Sequence, residues 1–162
     1  MSAPKGYSAT QIRLHWIVAG LIVLQLIFGE GIKDAFDIIE DGGSARYDLV
    51  TVSHIAVGVL VLAFAVWRLA LRARRGVPAL PAGSVLQHLA AHAGHWALYA
   101  LMVLAPISGM IAWFGGIEDV ADLHELAKPA FVVLIAVHVV AALWHQFWLK
   151  DGLLVRMKRP AD

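Results

Sequence analysis

The sequence predicts an all-α integral membrane protein, a bundle of four transmembrane helices with both termini cytoplasmic. Three observations carry this. Of 162 residues, 60% are hydrophobic and only 15% charged, and the mean hydropathy is +0.72, outside the usual range of soluble domains. Four apolar runs stand out, at residues 14–29, 50–71, 96–114 and 129–148, against the about 20 residues needed to cross the hydrocarbon core. The runs also lack the polar stripe at helical period that a soluble bundle shows. The length suits a single transmembrane domain over 1–162, with helices near 11–29, 50–72, 88–114 and 126–149.

The first run is slightly short unless residues 11–13 extend it, and it carries Gln25 and His15. The second holds His54 and, near its end, Arg68. Residues 72–87, with Pro78, Pro81 and Gly83, read as an ordered loop. In the third run Pro106, followed by Gly109, predicts a kink. The N-terminus lacks a basic stretch leading into a short apolar core and cleavage site, so it reads as a retained cytoplasmic tail, not a signal peptide.

Charge gives the orientation. Lys5, Arg13, Arg68, Arg72, Arg74, Arg75, Lys150, Arg156, Lys158 and Arg159 fall in the two tails and the second-to-third connection; only Lys33, Arg46 and Lys128 fall in the other two loops. That bias puts both termini inside. The opposite face carries most of the acids, Asp34, Asp37, Asp41, Asp48, Glu118, Asp119, Asp122 and Glu125 among them. Such a face repels anionic partners and attracts basic ones.

The absence of cysteine excludes disulfides, thiolate-held iron–sulfur clusters and covalent c-type haem. Histidine remains as the abundant metal ligand, eight residues in all. An ionisable residue in hydrocarbon is costly and usually meets a partner, cavity or cofactor. His15 lies near the inner end of the first helix, His54 near the outer end of the second, and His124 at the mouth of the fourth, with His138 and His145 further in. At about 100° and 1.5 Å per residue, the fourteen residues from His124 to His138 are about four turns, one face and roughly 21 Å. His54 can thus meet His124 at an outer level, and His15 a fourth-helix histidine at an inner level. Spacing leaves His138 and His145 equal for the inner role. Paired imidazoles from facing helices fill both axial positions of haem iron, which suits electron transfer; zinc, the rival, prefers four ligands in a tetrahedron. Gly20, Gly58 and Gly109 either make room for a flat macrocycle or serve close helix packing.

Several motifs together resemble the bacterial cytochrome b561 family: Arg13-Leu14-His15-Trp16, Ser53-His54, His92-x-x-His95, His124-Glu125, Val137-His138, Trp144-His145-Gln146-Phe147-Trp148, and the tail Trp148-Leu149-Lys150-Asp151-Gly152-Leu153-Leu154-x-Arg156-Met157. The resemblance covers nearly the whole chain and implies a four-helix membrane cytochrome with two non-covalent haem b groups. It implies iron ligation by His15 with His138 at the inner haem and by His54 with His124 at the outer one. His145 then keeps a lesser role, near the inner haem or a quinone headgroup. His92 and His95 become interfacial residues, His95 near a propionate or quinone, and His88 is solvated. Arg13 and Arg68 are inner propionate candidates, and Arg46 and Lys128 outer ones; the plain alternative is that they snorkel to lipid phosphates. A backbone carbonyl or Ser53 is the expected acceptor for the second ring nitrogen of a ligand. The segment 115–123 reads as a short loop.

The function implied is transmembrane electron transfer in the bacterial inner membrane, as part of a respiratory chain. Exchange is expected with the ubiquinone pool, and superoxide oxidation at the outer haem is permitted. An enzyme reading, if any, is a quinone-linked oxidoreductase. The expected partners are the lipid bilayer, quinone, a redox protein and a second copy in a homodimer, with no nucleic acid. Two other readings stand beside it, a haem-bearing anchor subunit of a larger oxidoreductase and a metal or proton transporter. The latter lacks the intramembrane carboxylates that proton relays commonly use.

Overall fold

The computed structural model describes residues 4 and 6–161. Met1–Ala3, Lys5 and Asp162, which enter the tail reading and the charge pattern above, lie outside the described residues, as do the side chains of Glu30 and Glu40. Four helices are long and apolar enough to cross a membrane: Ala9–Phe28, Leu49–Arg75, Val85–Gly115 and the composite Glu118–Leu149. The all-α membrane fold expected from composition is therefore what the chain adopts.

Helix α1 (Ala9–Phe28) starts at a capping box in which Ser8 and Gln11 satisfy each other's backbone N–H groups. A surface helix α2 (Ile32–Glu40) follows within the first outer loop, which the apolar runs had left unstructured. Asp48 caps α3 (Leu49–Arg75), accepting from Thr51 N–H at 2.9 Å. Helix α4 (Val85–Gly115) begins at a second capping box, Ser84 with Gln87, and continues through Pro106. Gly116, in the left-handed region at φ 61°, ends it. The segment read as a short loop is instead helix α5 (Glu118–Glu125), and it carries His124. Pro129 has no N–H to offer the Glu125 carbonyl, and α6 (Ala127–Trp144) is distinct from α5 at that break. The chain then widens into a π turn, His145–Leu149, and reverses at Lys150, φ 52°.

Each of the four spans contributes to one buried core: Val18 and Ile22 of α1, Val61 and Ala65 of α3, Met102 and Ala105 of α4, and Phe131 of α6. The opposite faces stay open, with Ile27, Val137 and Val140 at 62%, 62% and 65% exposure. Exposing such a side chain to water costs about 1.5–3 kcal/mol; in a bilayer it faces lipid at no such cost, and close packing holds the helices together.

Both termini lie at one end of the bundle. The Gln11 amide donates to the Gly76 carbonyl (3.2 Å), Trp16 Nε1–H to Met157 (2.9 Å), Arg156 to Ala79 (2.8 Å) and Ala161 N–H to Tyr7 (3.1 Å). Arg72, Arg74 and Arg75 end α3 on this side. The far end is closed by an ion pair between Lys33 and Glu125, 3.1 Å, joining α2 to α5.

Candidate functional site

The histidines gather at two levels. At the far end, His54 of α3 faces His124 of α5, ring centres 6.1 Å apart and planes at 83°. At the termini end, His15 of α1 faces His138 of α6, ring centres 6.3 Å apart and planes at 48°. Two imidazoles on opposite sides of one metal, each bonded at about 2.0 Å with its ring centre about 1.2 Å behind the bonding nitrogen, have centres about 6.4 Å apart. Both separations meet that value. His95 also lies beside His138, with ring centres 5.5 Å apart and planes at 77°, a shorter separation than in either pair.

The far-end pair borders a cavity of ≈ 750 Å³ whose walls include Gln25, Gly29, His54, Gly109, Trp113 and His124. The residues around it are fitted to a ring ligand. His124 Nδ1–H donates to the Ala105 carbonyl at 2.9 Å, which leaves the lone pair on Nε2 for a metal. A methyl group on Gly109 would sit 2.9 Å from His124 Cε1, and one on Gly29 would sit 3.2 Å from His54 Nδ1. That nitrogen of His54 is buried with no partner. Gln25, a polar residue at membrane depth, spends its amide on the His54 carbonyl at 2.9 Å. Two imidazoles bordering one cavity of this size suit haem. Among the described residues no group of three or more His, Asp or Glu is arranged around a common metal position.

The termini-end pair is dressed differently. Arg68 reaches His15 Nδ1 at 3.2 Å and stacks over Tyr99, 5.6 Å from its ring centre. Arg72 lies over Trp96 at 5.3 Å. A guanidinium only donates, so His15 Nδ1 accepts and its ring proton sits on Nε2.

The other sequence candidates sort as follows. His145 is not at the inner pair; its Nδ1 bonds Asp151, whose second oxygen accepts from Leu153 N–H at 3.0 Å. Arg13 is exposed, and Arg68 is the cation in contact with an inner histidine. Arg46 and Lys128 are exposed at the far end. His92 is exposed, whereas His88, expected to be solvated, is half-buried and bonds the Pro81 carbonyl at 2.9 Å. Ser53 does not orient a histidine, because its hydroxyl donates back to the carbonyls of Leu49 and Val50. Of the three glycines singled out, Gly109 abuts a histidine, a methyl group on Gly58 would lie 3.7 Å from the Gln25 amide, and one on Gly20 would meet no neighbouring element within 4 Å. Gly29, Trp113 and the Ala105 carbonyl were not foreseen. Only Gly29 had a signal, being a glycine at the end of an apolar run.

Comparison with known proteins gives the family. The family model described as prokaryotic cytochrome b561 matches residues 6–160. The chain is 40% identical over 164 residues to a protein of Cereibacter sphaeroides named "Cytochrome b562", with 99% of each chain covered. It is 30% identical to a Yersinia pestis protein named "Probable superoxide oxidase CybB", covering 94% of this chain and 96% of the relative. It is also 30% identical to "Cytochrome b561 homolog 2" of Escherichia coli K12, covering 96% and 93%. The chain belongs to the prokaryotic cytochrome b561 family, haem b electron-transfer proteins that pass several times through the bacterial inner membrane.

Proposed function

We propose that the chain carries electrons across the membrane on two haem b groups, one held by His15 and His138 and the other by His54 and His124. The observation that carries this reading is the two facing pairs at opposite ends of the bundle, 6.3 and 6.1 Å between ring centres. Bound there, haem b supplies a one-electron centre at each level. The chain fixes the spacing of the two levels, and Val18, Ile22, Val61, Ala65 and Phe131 exclude water between them. His124, anchored by Ala105, presents Nε2; Arg68 and Arg72 supply positive charge at the termini end, where carboxylates of the cofactor need it.

Both termini are cytoplasmic in this reading, supported by the basic residues gathered at their end. Electrons exchange there with ubiquinone, whose reduction takes two electrons and two protons. The His145–Asp151 pair sits at that boundary beside the stacked Trp144 and Trp148 rings (5.0 Å) and can pass protons between water and a headgroup. A second reading, favoured by the Yersinia relative, makes superoxide the donor at the far end. Each superoxide gives up one electron and leaves as dioxygen, so two of them reduce one quinone.

The test is an optical spectrum of the purified protein with a haem-to-chain count. Two low-spin b haems per chain are expected, reoxidised by added ubiquinone; one haem, or none, ends the two-level reading.

A further inference from the structure

Trp113 is 6% exposed, yet its indole Nε1–H is buried with no hydrogen-bond partner. Buried indoles usually find an acceptor, because stripping the N–H of water without replacing it is costly. The ring is walled in by Phe36 of α2, centres 6.4 Å apart, and by Tyr47 of the following loop, 6.0 Å and edge-on. Water therefore has poor access from the loop side. The indole also lines the far-end cavity that His54 and His124 border. It stands four residues beyond Gly109, whose bare Cα lies against His124. Four residues are about one turn and about 6 Å, on the same helix face. Trp113 thus belongs to the wall of the cavity, one turn nearer the far surface than the histidine level, and its buried N–H has no acceptor on the protein side.

We propose that Trp113 Nε1–H donates to a carboxylate of the group held between His54 and His124, which rests on the two-haem reading above. Haem b carries two carboxylates at one edge, and a hydrogen bond to an ionised carboxylate is about twice as strong as one between neutral groups. The cations nearby are less committed to that role: Lys33 is already paired with Glu125, and Lys128 is exposed. The hydrogen bond spreads the carboxylate's negative charge. Removing it leaves more negative charge beside the iron, which favours the oxidised form and lowers the potential of that haem.

The experiment titrates both haems in the wild type, Trp113→Phe and Trp113→His. Phenylalanine keeps an aromatic ring against Phe36 and Tyr47 without the donor; histidine restores a ring N–H. In Trp113→Phe the far-end haem should shift toward oxidised by several-fold to tenfold, tenfold being 59 mV for one electron. The other haem should not move, and Trp113→His should recover most of the change. If Trp113→Phe sheds the far-end haem and Trp113→His keeps it, the proposal stands. An unmoved potential in Trp113→Phe, or equal haem loss in both variants, overturns it. Failure of the two-haem reading looks different, because the wild type itself then lacks the far-end haem.

Discussion

Replacing Gly109 with alanine tests whether the far-end histidine is held for a ring ligand. The added methyl would stand 2.9 Å from His124 Cε1, 3.2 Å from Nδ1 and 3.3 Å from Nε2. Ordinary contact begins at 3.4 Å, so the ring must retreat by 0.5 Å. Metal–ligand distances hold to about ±0.2 Å. The ring cannot swing freely, because its Nδ1–H is bonded to Ala105 at 2.9 Å, and leaving that buried donor unpaired costs about 1–3 kcal/mol. Against this, alanine in a helix interior gains about 0.8–1.0 kcal/mol over glycine. If the Ala105 bond holds, the helix gain covers folding and the loss falls on the cofactor; if it breaks, up to about 2 kcal/mol falls on folding as well. Disturbing the groups that orient a ligand costs about 10–100-fold in affinity, or about 1.4–2.8 kcal/mol. Haem per chain and redox titration of detergent-purified protein read this directly. Gly109→Ala should lose or shift the far-end haem alone, while Gly20→Ala, with nothing within 4 Å, should keep both. Full haem with an unaltered far-end potential in Gly109→Ala, or equal loss in Gly20→Ala, would refute the reasoning.

Histidine replacements separate the termini-end candidates: His138→Ala should remove one haem, whereas His145→Ala should keep both and slow reoxidation by quinone, as a haem count and stopped-flow traces will report. The Asp48 cap makes a pH prediction. The Thr51 backbone N–H beside Asp48 holds its carboxyl below the ordinary value of 3.8, so the cap's contribution is present above that pH and is lost as pH falls through the lower folded-state value. Amide exchange at Val50–Val52 should be slow and even from pH 5 to 8 once corrected for intrinsic rates, and fast throughout in Asp48→Ala. The Lys33–Glu125 pair is 62% and 54% exposed, so Lys33→Met should leave the melting temperature unchanged; a clear drop would show the pair to be shielded from solvent.

The four spans were legible because lipid selects on composition: a run of about 20 apolar residues has few other fates. The histidine levels were legible for a related reason, since imidazoles stranded in such runs need partners and helical rise fixes their depth. What the sequence hid was the packing between spans. Helices α2 and α5 are short and amphipathic, with Ile38 and Ile39 beside Asp37 or Leu123 beside Asp122, so counting apolar runs passes over them. His145 and His138 share a face by arithmetic, yet the π turn after Trp144 and the carboxylate of Asp151 take His145 elsewhere. Nothing in the sequence singles out Trp113 from the other aromatic residues. Its contacts with Phe36 of α2 and Tyr47 of the loop after it appear only in the folded chain.

The two levels are chemically unequal, and the difference lies in which ring nitrogen is already used. His124 has its Nδ1 proton committed to a backbone carbonyl, so Nε2 is free for metal with no rearrangement. His15 is set the other way, because Arg68 donates to its Nδ1 and forces the proton onto Nε2. Were haem iron held through Nε2, that proton would have to move to Nδ1, and Arg68 would give up the contact. The guanidinium need not travel far, since it already rests over Tyr99. Freed from His15, it becomes an unpaired cation at half-buried depth, which a carboxylate of the incoming cofactor would satisfy. In the two-haem reading, ligand and counter-ion at the termini end would be coupled through one hydrogen bond, whereas at the far end a backbone carbonyl holds His124 and the Nδ1 of His54 has no partner.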